Sequence, residues 1–174
     1  MTEKSAQIEQ FTGLILVTGE DAPGIAASVF ETLAPFAVHV IDVEQLVIND
    51  RLVLTILISA NPAHQSAIED DLNSCATTLA VDIATLFSKS IVPTMPQNLV
   101  VVRITSDKLR PQALALTCQA ITAAGGNIQS FTRTSEAPVS IAVAVTGVSI
   151  NEIQAITSAI AFEDETTIVV KGQY

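Results

Sequence analysis

Tryptophan is absent from this 174-residue chain, and aromatic residues make up only 4% of it. So few flat rings give no basis for a platform on which bases or sugars stack. Positive charge is scarce as well. Eight Lys and Arg stand against eighteen Asp and Glu, a formal net charge of −10. Phosphate backbones and anionic bilayer surfaces are both repelled by such a chain. There are two cysteines, Cys75 and Cys118, with no C-x-x-C and no metal-type spacing. They read as buried free thiols of a reducing, cytoplasmic compartment. Long apolar runs are missing: Leu52 to Ala60 is far too short to cross a bilayer. The first ten residues are polar and lack the apolar core of a secretory signal.

Reaction chemistry is equally thin. No H-E-x-x-H, phosphate-binding loop, G-x-S-x-G or dinucleotide fingerprint occurs. The only histidines, His39 and His64, stand alone and read as structural or surface residues. Asp70-Asp71 and Glu163-Asp164-Glu165 read as solvated helix ends or turns, not metal sites. Arg51, Arg103, Arg110 and Arg133 are scattered. No catalytic residue and no metal ligand is assigned, and the chain is expected not to be an enzyme.

What the chain does have is aliphatic material and an internal repeat. Apolar residues reach 49%, enough for a packed core. Leu14 to Thr18 opens one half and Leu99 to Arg103 the other, each a short β-rich run. A polar loop follows each, Gly19 to Gly24 and Ser106 to Pro111, and then a helical pattern. In the first half the pattern is Ile25, Val29, Phe30, Leu33. In the second it is Leu114, Thr117, Cys118, Ile121. Asp21 and Asp107 are placed to help a helix start, and Pro23 and Pro111 fit a first helical turn. The helices stop near Pro35 and at Gly125-Gly126.

Strands resume at Val38 to Val43 and at Asn127 to Phe131, with turns at Asn49-Asp50 and Glu136 to Pro138. Leu52 to Ile58 and Val139 to Val145 are the returning arms. A second helix follows in each half, on Ile68, Leu72, Cys75 with Pro62 near its start, and on Ile150, Ile153, Ile156, Ile160. Closing strands run from Val81 to Phe87 and from Thr166 to Val170. Each half thus reads β-α-β-β-α-β, an α+β unit of ferredoxin-like type. Ser90 to Gln97, with two prolines, reads as the linker between domains 1–92 and 93–174. Strands apolar on both faces, such as Leu52 to Ile58, need cover on the face that the helices leave bare. The repeats are therefore expected to pack together, and the chain to be a homo-oligomer, a dimer first.

One loop stands out for binding. In Glu20-Asp21-Ala22-Pro23-Gly24-Ile25 a strand turns tightly into a helix N-terminus, whose unpaired N–H groups converge on one spot. Gly24 lets a ligand approach the backbone. Such a spot suits the carboxylate of an amino acid, with a nearby carboxylate or amide oxygen taking the ammonium. A plain helix start would leave the same signal.

A D-x-P-G loop between the first strand and first helix of a βαββαβ unit resembles the signature of ACT domains. Val43 to Ile48 with Arg51-Leu52 is similar to the second strand and hairpin of the first ACT repeat in actinobacterial phosphoserine phosphatases. Gly125-Gly126-Asn127-Ile128 resembles the G-x-N-I that opens the second strand of many ACT domains. The resemblance spans residues 12 to 171 by element order. It implies an amino-acid effector, serine or glycine, bound where the first loop of one ACT domain faces the second strand of another. Carried onto this chain, it marks Asp21, Pro23, Gly24, Ile25 and His39 in the first repeat. In the second it marks Asp107, Gly126, Asn127 and Ile128. His39 holds the place of Asn127, and the second loop, read as longer, has no Gly after Pro111 but adds Lys108 and Arg110.

The resemblance also implies a separate catalytic domain that would need magnesium. Its D-x-D-x-T/V motif is absent from this sequence. The expected role is the N-terminal regulatory module of a phosphoserine phosphatase of serine biosynthesis, with no cofactor of its own. Two other readings stay open: a free-standing two-ACT regulator similar to the glycine-cleavage-system repressor, acting through protein partners, and a small enzyme of ferredoxin-like fold.

Overall fold

Alternation is what builds the sheets. In a strand, successive side chains point to opposite faces, and Leu52, Leu54, Ile56 and Ile58 are buried while Val53, Thr55 and Leu57 are only half-buried. The computed structural model describes residues 9–91, 98–162 and 165–172. They divide into two units, residues 1–93 and 94–174.

In the first unit the order is β1 (Glu9–Glu20), α1 (Ile25–Leu33), β2 (His39–Ile48), β3 (Arg51–Ser59), a 3-10 turn (Pro62–His64), α2 (Gln65–Leu79) and β4 (Asp82–Ile91). The strands form one antiparallel sheet in the order β2-β3-β1-β4. Asn49 and Asp50, both with positive φ (49° and 60°), make the tight β2–β3 turn. Both helices pack on one face. Their inward residues Ile25, Val29, Leu33, Ile68 and Leu72 close over Ile15, Val17, Leu54 and Ile56. Each such side chain contributes about 1.5–3 kcal/mol on burial. His64 lies beside Phe36, with ring centroids 6.2 Å apart and tilted by 52°. Its Nδ1 is buried with no hydrogen-bond partner.

The second unit repeats the plan with β5 (Val100–Ser106), α3 (Pro111–Ala123), β6 (Asn127–Glu136), β7 (Val139–Thr146), α4 (Ile150–Thr157) and β8 (Thr167–Gly172). Its sheet order is β6-β7-β5-β8. The core is Val100, Val102, Ile104, Ile121, Val143, Val145 and Ile153. Two buried hydroxyls lie in its helices. Thr117 and Thr157 each donate to the carbonyl one turn back, of Ala113 and Ile153, at 2.8 Å. That satisfies them without a partner side chain.

Both units are thus ferredoxin-like, as the sequence predicts, but several local expectations change. Asp21 and Asp107 cap no helix. The N-cap of α1 is Gly24 and that of α3 is Arg110, neither with a side-chain cap. Pro23 precedes α1 instead of lying in its first turn, whereas Pro111 does open α3. The two loops are equally long, residues 21–24 and 107–110. Ile160 falls outside α4, which ends at Thr157. Ser90 and Ile91 extend β4, and residues 92–97 of the expected linker lie outside the described residues, as do Glu163 and Asp164. Cys75 and Cys118 are free but half-buried. No helix among the described residues is long and apolar enough to cross a membrane.

Candidate functional site

The β1–α1 loop is shaped by one glycine. At Gly24 φ is +94°, a left-handed backbone that side chains with a Cβ rarely adopt. A Cβ there would meet nothing within 4 Å, so the constraint is conformational and the space beside it is open. The residue before it, Pro23, fixes its own φ and stiffens the approach. Two backbone bonds anchor the loop. Asp21 N–H donates to Asp50 C=O in the β2–β3 turn at 2.9 Å, and Ser28 N–H donates to Gly24 C=O, the first helical bond, at 2.9 Å.

Beyond the loop lies a cavity of about 330 Å³, lined by Asp21, Ala22, Pro23, Gly24, Ile25, Ala26, Ala27 and Gln45. The first-turn N–H groups of α1 have no partner within the helix, because α-helical donors bond four residues back. With the helix dipole they favour a carboxylate. Asp21 is exposed and carries the opposite preference, for an ammonium. Gln45 offers both an amide donor and an acceptor. Together these groups complement a zwitterion. Gln45 escaped the sequence reading because it is one polar residue in a β2 segment that looked like strand packing. Its place on a strand next to the loop becomes visible only with the β2–β3–β1 order.

Not every predicted residue is here. Asp21, Pro23, Gly24 and Ile25 come together. His39 sits at the far end of the sheet, paired with Ser59, while the loop end is marked by Glu20 and Arg51. Ten residues of β2 separate the ends, roughly 30 Å. His39 helps line a different cavity of about 300 Å³, with Gln10, Phe11, Ala37, Ser59 and Ala60. The second unit has the same polarity. Asp107 lies just beyond the Ser106–Val139 end, and Asn127 pairs with Thr146 at the other. Asn127 begins β6 as His39 begins β2, so their equivalence holds. Gly126 has a packing reason of its own: a Cβ there would stand 2.9 Å from Ile121 and Val145 methyl groups. Ile128, half-buried, packs on the second core. At the second loop Arg110, with φ −92°, replaces the left-handed glycine. Among the described residues no group of three or more His, Cys, Asp or Glu side chains gathers to hold a metal.

A four-stranded antiparallel sheet in the order 2-3-1-4 with two helices on one face, built twice along the chain, defines the class: tandem βαββαβ domains of ferredoxin-like fold. The first unit belongs to the ACT-domain family, whose model matches residues 12–85, and the second unit repeats its fold. The chain is similar to the phosphoserine phosphatase of Streptomyces coelicolor, 32% identical over 158 residues, which are 87% of this chain and 37% of that protein. It is also similar to the phosphoserine phosphatase SerB2 of Mycobacterium tuberculosis, 27% identical over 163 residues, 91% of this chain and 40% of that one. The chain therefore spans well under half the length of either relative. Among solved structures, a candidate glycine cleavage system transcriptional repressor superposes with a TM-score of 0.73 at 17% identity, covering 95% of this chain and 98% of that one. A protein of Galdieria sulphuraria gives a TM-score of 0.72 at 16% identity, covering 96% of this chain and all of that one. At such identities these two speak for the tandem fold alone.

Proposed function

We propose that this chain is a non-catalytic, cytoplasmic amino-acid-sensing module, the N-terminal regulatory part of a phosphoserine phosphatase, with serine or a closely related small amino acid as effector. The observation that carries the proposal is the cavity between the Gly24 loop and Gln45, which offers helix N–H groups for a carboxylate beside Asp21 for an ammonium. The relatives support the phosphatase pathway: both are phosphoserine phosphatases that match this chain over only 37% and 40% of their own length. In this reading the catalytic domain, and the magnesium it would use, belong to the remainder of such an enzyme. The effector acts by binding one arrangement of the domains more tightly than another, which is the only way a ligand shifts an equilibrium. His39, Asp107 and Asn127 serve the loop or second strand of whichever ACT domain completes the site.

The test is calorimetric titration of L-serine, glycine and a panel of other amino acids into the purified chain. One of them is expected to bind saturably, and Asp21→Ala is expected to weaken it at least tenfold. Absence of binding by every amino acid up to millimolar concentration would leave a pairing scaffold, not a sensor.

A further inference from the structure

A second cavity of the first unit shares no residue with the one at the Gly24 loop. It is a groove of about 470 Å³ on the helix layer, with α1 as one wall and α2 as the other. Its charge is one-sided. Glu31 stands on the α1 wall and Asp71 on the α2 wall, and no Lys, Arg or His lines the groove. Neither helix contains a Lys, Arg or His at any position. Among the described residues, neither carboxylate has an ion-pair or hydrogen-bond partner.

The hydroxyls along the walls are acceptors as well. Thr32 donates its proton to the Ser28 carbonyl at 2.8 Å, and Ser74 and Thr78 donate theirs to the Asp70 and Ser74 carbonyls, each at 3.0 Å. A hydroxyl has one proton and two lone pairs, so these present lone pairs to the groove. Pro35, Leu79 and the half-buried Cys75 supply its apolar surface. The matching ligand is a cation with N–H donors and an aliphatic stem. A bare metal ion does not match, because among the described residues no three His, Cys, Asp or Glu side chains gather to hold one. Packed helices run about 8–10 Å apart, so carboxylates on facing walls are met better by two separated charges than by one.

The second unit supplies the contrast. Buried pairs four residues apart align the helices, Val29 and Leu33 with Thr117 and Ile121, Ile68 and Leu72 with Ile153 and Thr157. On that alignment Gln119 takes the place of Glu31, and Ile156 that of Asp71. The fold itself therefore does not require these carboxylates, and like charges facing each other repel unless a cation lies between them.

We propose that the α1–α2 groove of the first unit binds an aliphatic diamine, with one ammonium on Glu31, the other on Asp71 and the methylene chain on Leu79 and Pro35. This site holds or fails independently of the amino-acid effector, since it uses none of the effector cavity's residues.

Cys75 is the reporter, and Cys118 in the second unit is the control. The full chain is alkylated with iodoacetamide in the presence of putrescine at constant ionic strength. Putrescine is expected to slow modification of Cys75 at least fivefold and to leave Cys118 unchanged, with the monoamine butylamine protecting far less. Glu31→Gln and Asp71→Asn, both at exposed positions, are each expected to abolish the protection. No protection, equal slowing at Cys118, equal protection by butylamine or magnesium chloride, or protection that survives both substitutions would overturn the proposal. Should a variant fail to fold, the comparison of diamine with monoamine decides alone.

Discussion

The two units share a topology and differ in what they leave bare. On the helix-free face of the first sheet, one cross-strand row reads Leu57, Leu14, Leu86, and Leu46 lies opposite Val53. The matching rows of the second sheet read Ala144, Val101, Lys171 and Ala142, Arg103, Val169. One face is leucine-rich and two of its residues, Leu14 and Leu86, are exposed by 43% and 65%. The other is small and charged, able to face water as it stands. The same division runs through the loops, left-handed Gly24 in one and extended Arg110 in the other. A βαββαβ fold is specified by its inward face, so duplication leaves the outward face and the loops free to diverge. The leucine-rich row and the left-handed glycine loop both lie in the first unit.

The cores supply the largest contrast to probe. The first is built on Ile and Leu, while four of the seven buried residues of the second are valines. Ile56→Ala is expected to cost about 2–5 kcal/mol, and Val143→Ala roughly 2 kcal/mol, both read from urea unfolding. Equal costs would mean that the second core collapses no better around its smaller cavity. Next come the loops. Gly24→Val forces a β-branched residue to positive φ and should cost about 1–2 kcal/mol. Arg110→Ala, at the same place in the second unit, relieves no positive φ and should cost at most about 1 kcal/mol, the worth of an exposed polar or ionic contact. If the two substitutions matched, the loop difference would be one of sequence only.

Helix α4 carries a device that the first unit lacks. Ser149 accepts from the Glu152 N–H at 3.3 Å while the Glu152 carboxylate accepts from Ser149 N–H at 2.9 Å, a reciprocal cap. Ser149→Ala should therefore cost about 1 kcal/mol, whereas α1, capped by Gly24, has no side-chain bond to lose. Hydrogen bonds from the Ser149 side chain and backbone hold the Glu152 carboxyl below its ordinary pKa. A depressed carboxyl pKa means that the unfolded chain binds the proton more readily. The stabilisation is present above the ordinary glutamate range, about pH 4.3, and is lost as pH falls through the lower folded value. Amide exchange in the first turn of α4 should accelerate there, and that of α1 should show no such step.

Much of this was legible beforehand, and the misses have physical causes. Element order followed from apolar period and punctuation, since Gly125-Gly126 and Asn49-Asp50 end and turn the chain wherever they occur. The apolar period alone carries β2 only to Val43, because Glu44 and Gln45 interrupt the run, and the family resemblance carries it on to Ile48; an edge strand exposed on both faces has no need of strict alternation. Asp21 and Asp107 looked like caps because short acidic residues favour that role, yet three residues intervene before each helix begins. Gln45 could not be found by motif, because what makes it part of the cavity is strand order, not spacing.

The central claim is that the Gly24 loop and Gln45 hold a small amino acid. Its most direct test is amide chemical-shift mapping of the intact chain titrated with L-serine. The account predicts saturable shifts centred on Gly24, Ile25, Ala26 and Gln45, abolished by Gly24→Val. Shifts confined to residues 107–110, or none at all with every amino acid in the panel, would contradict it.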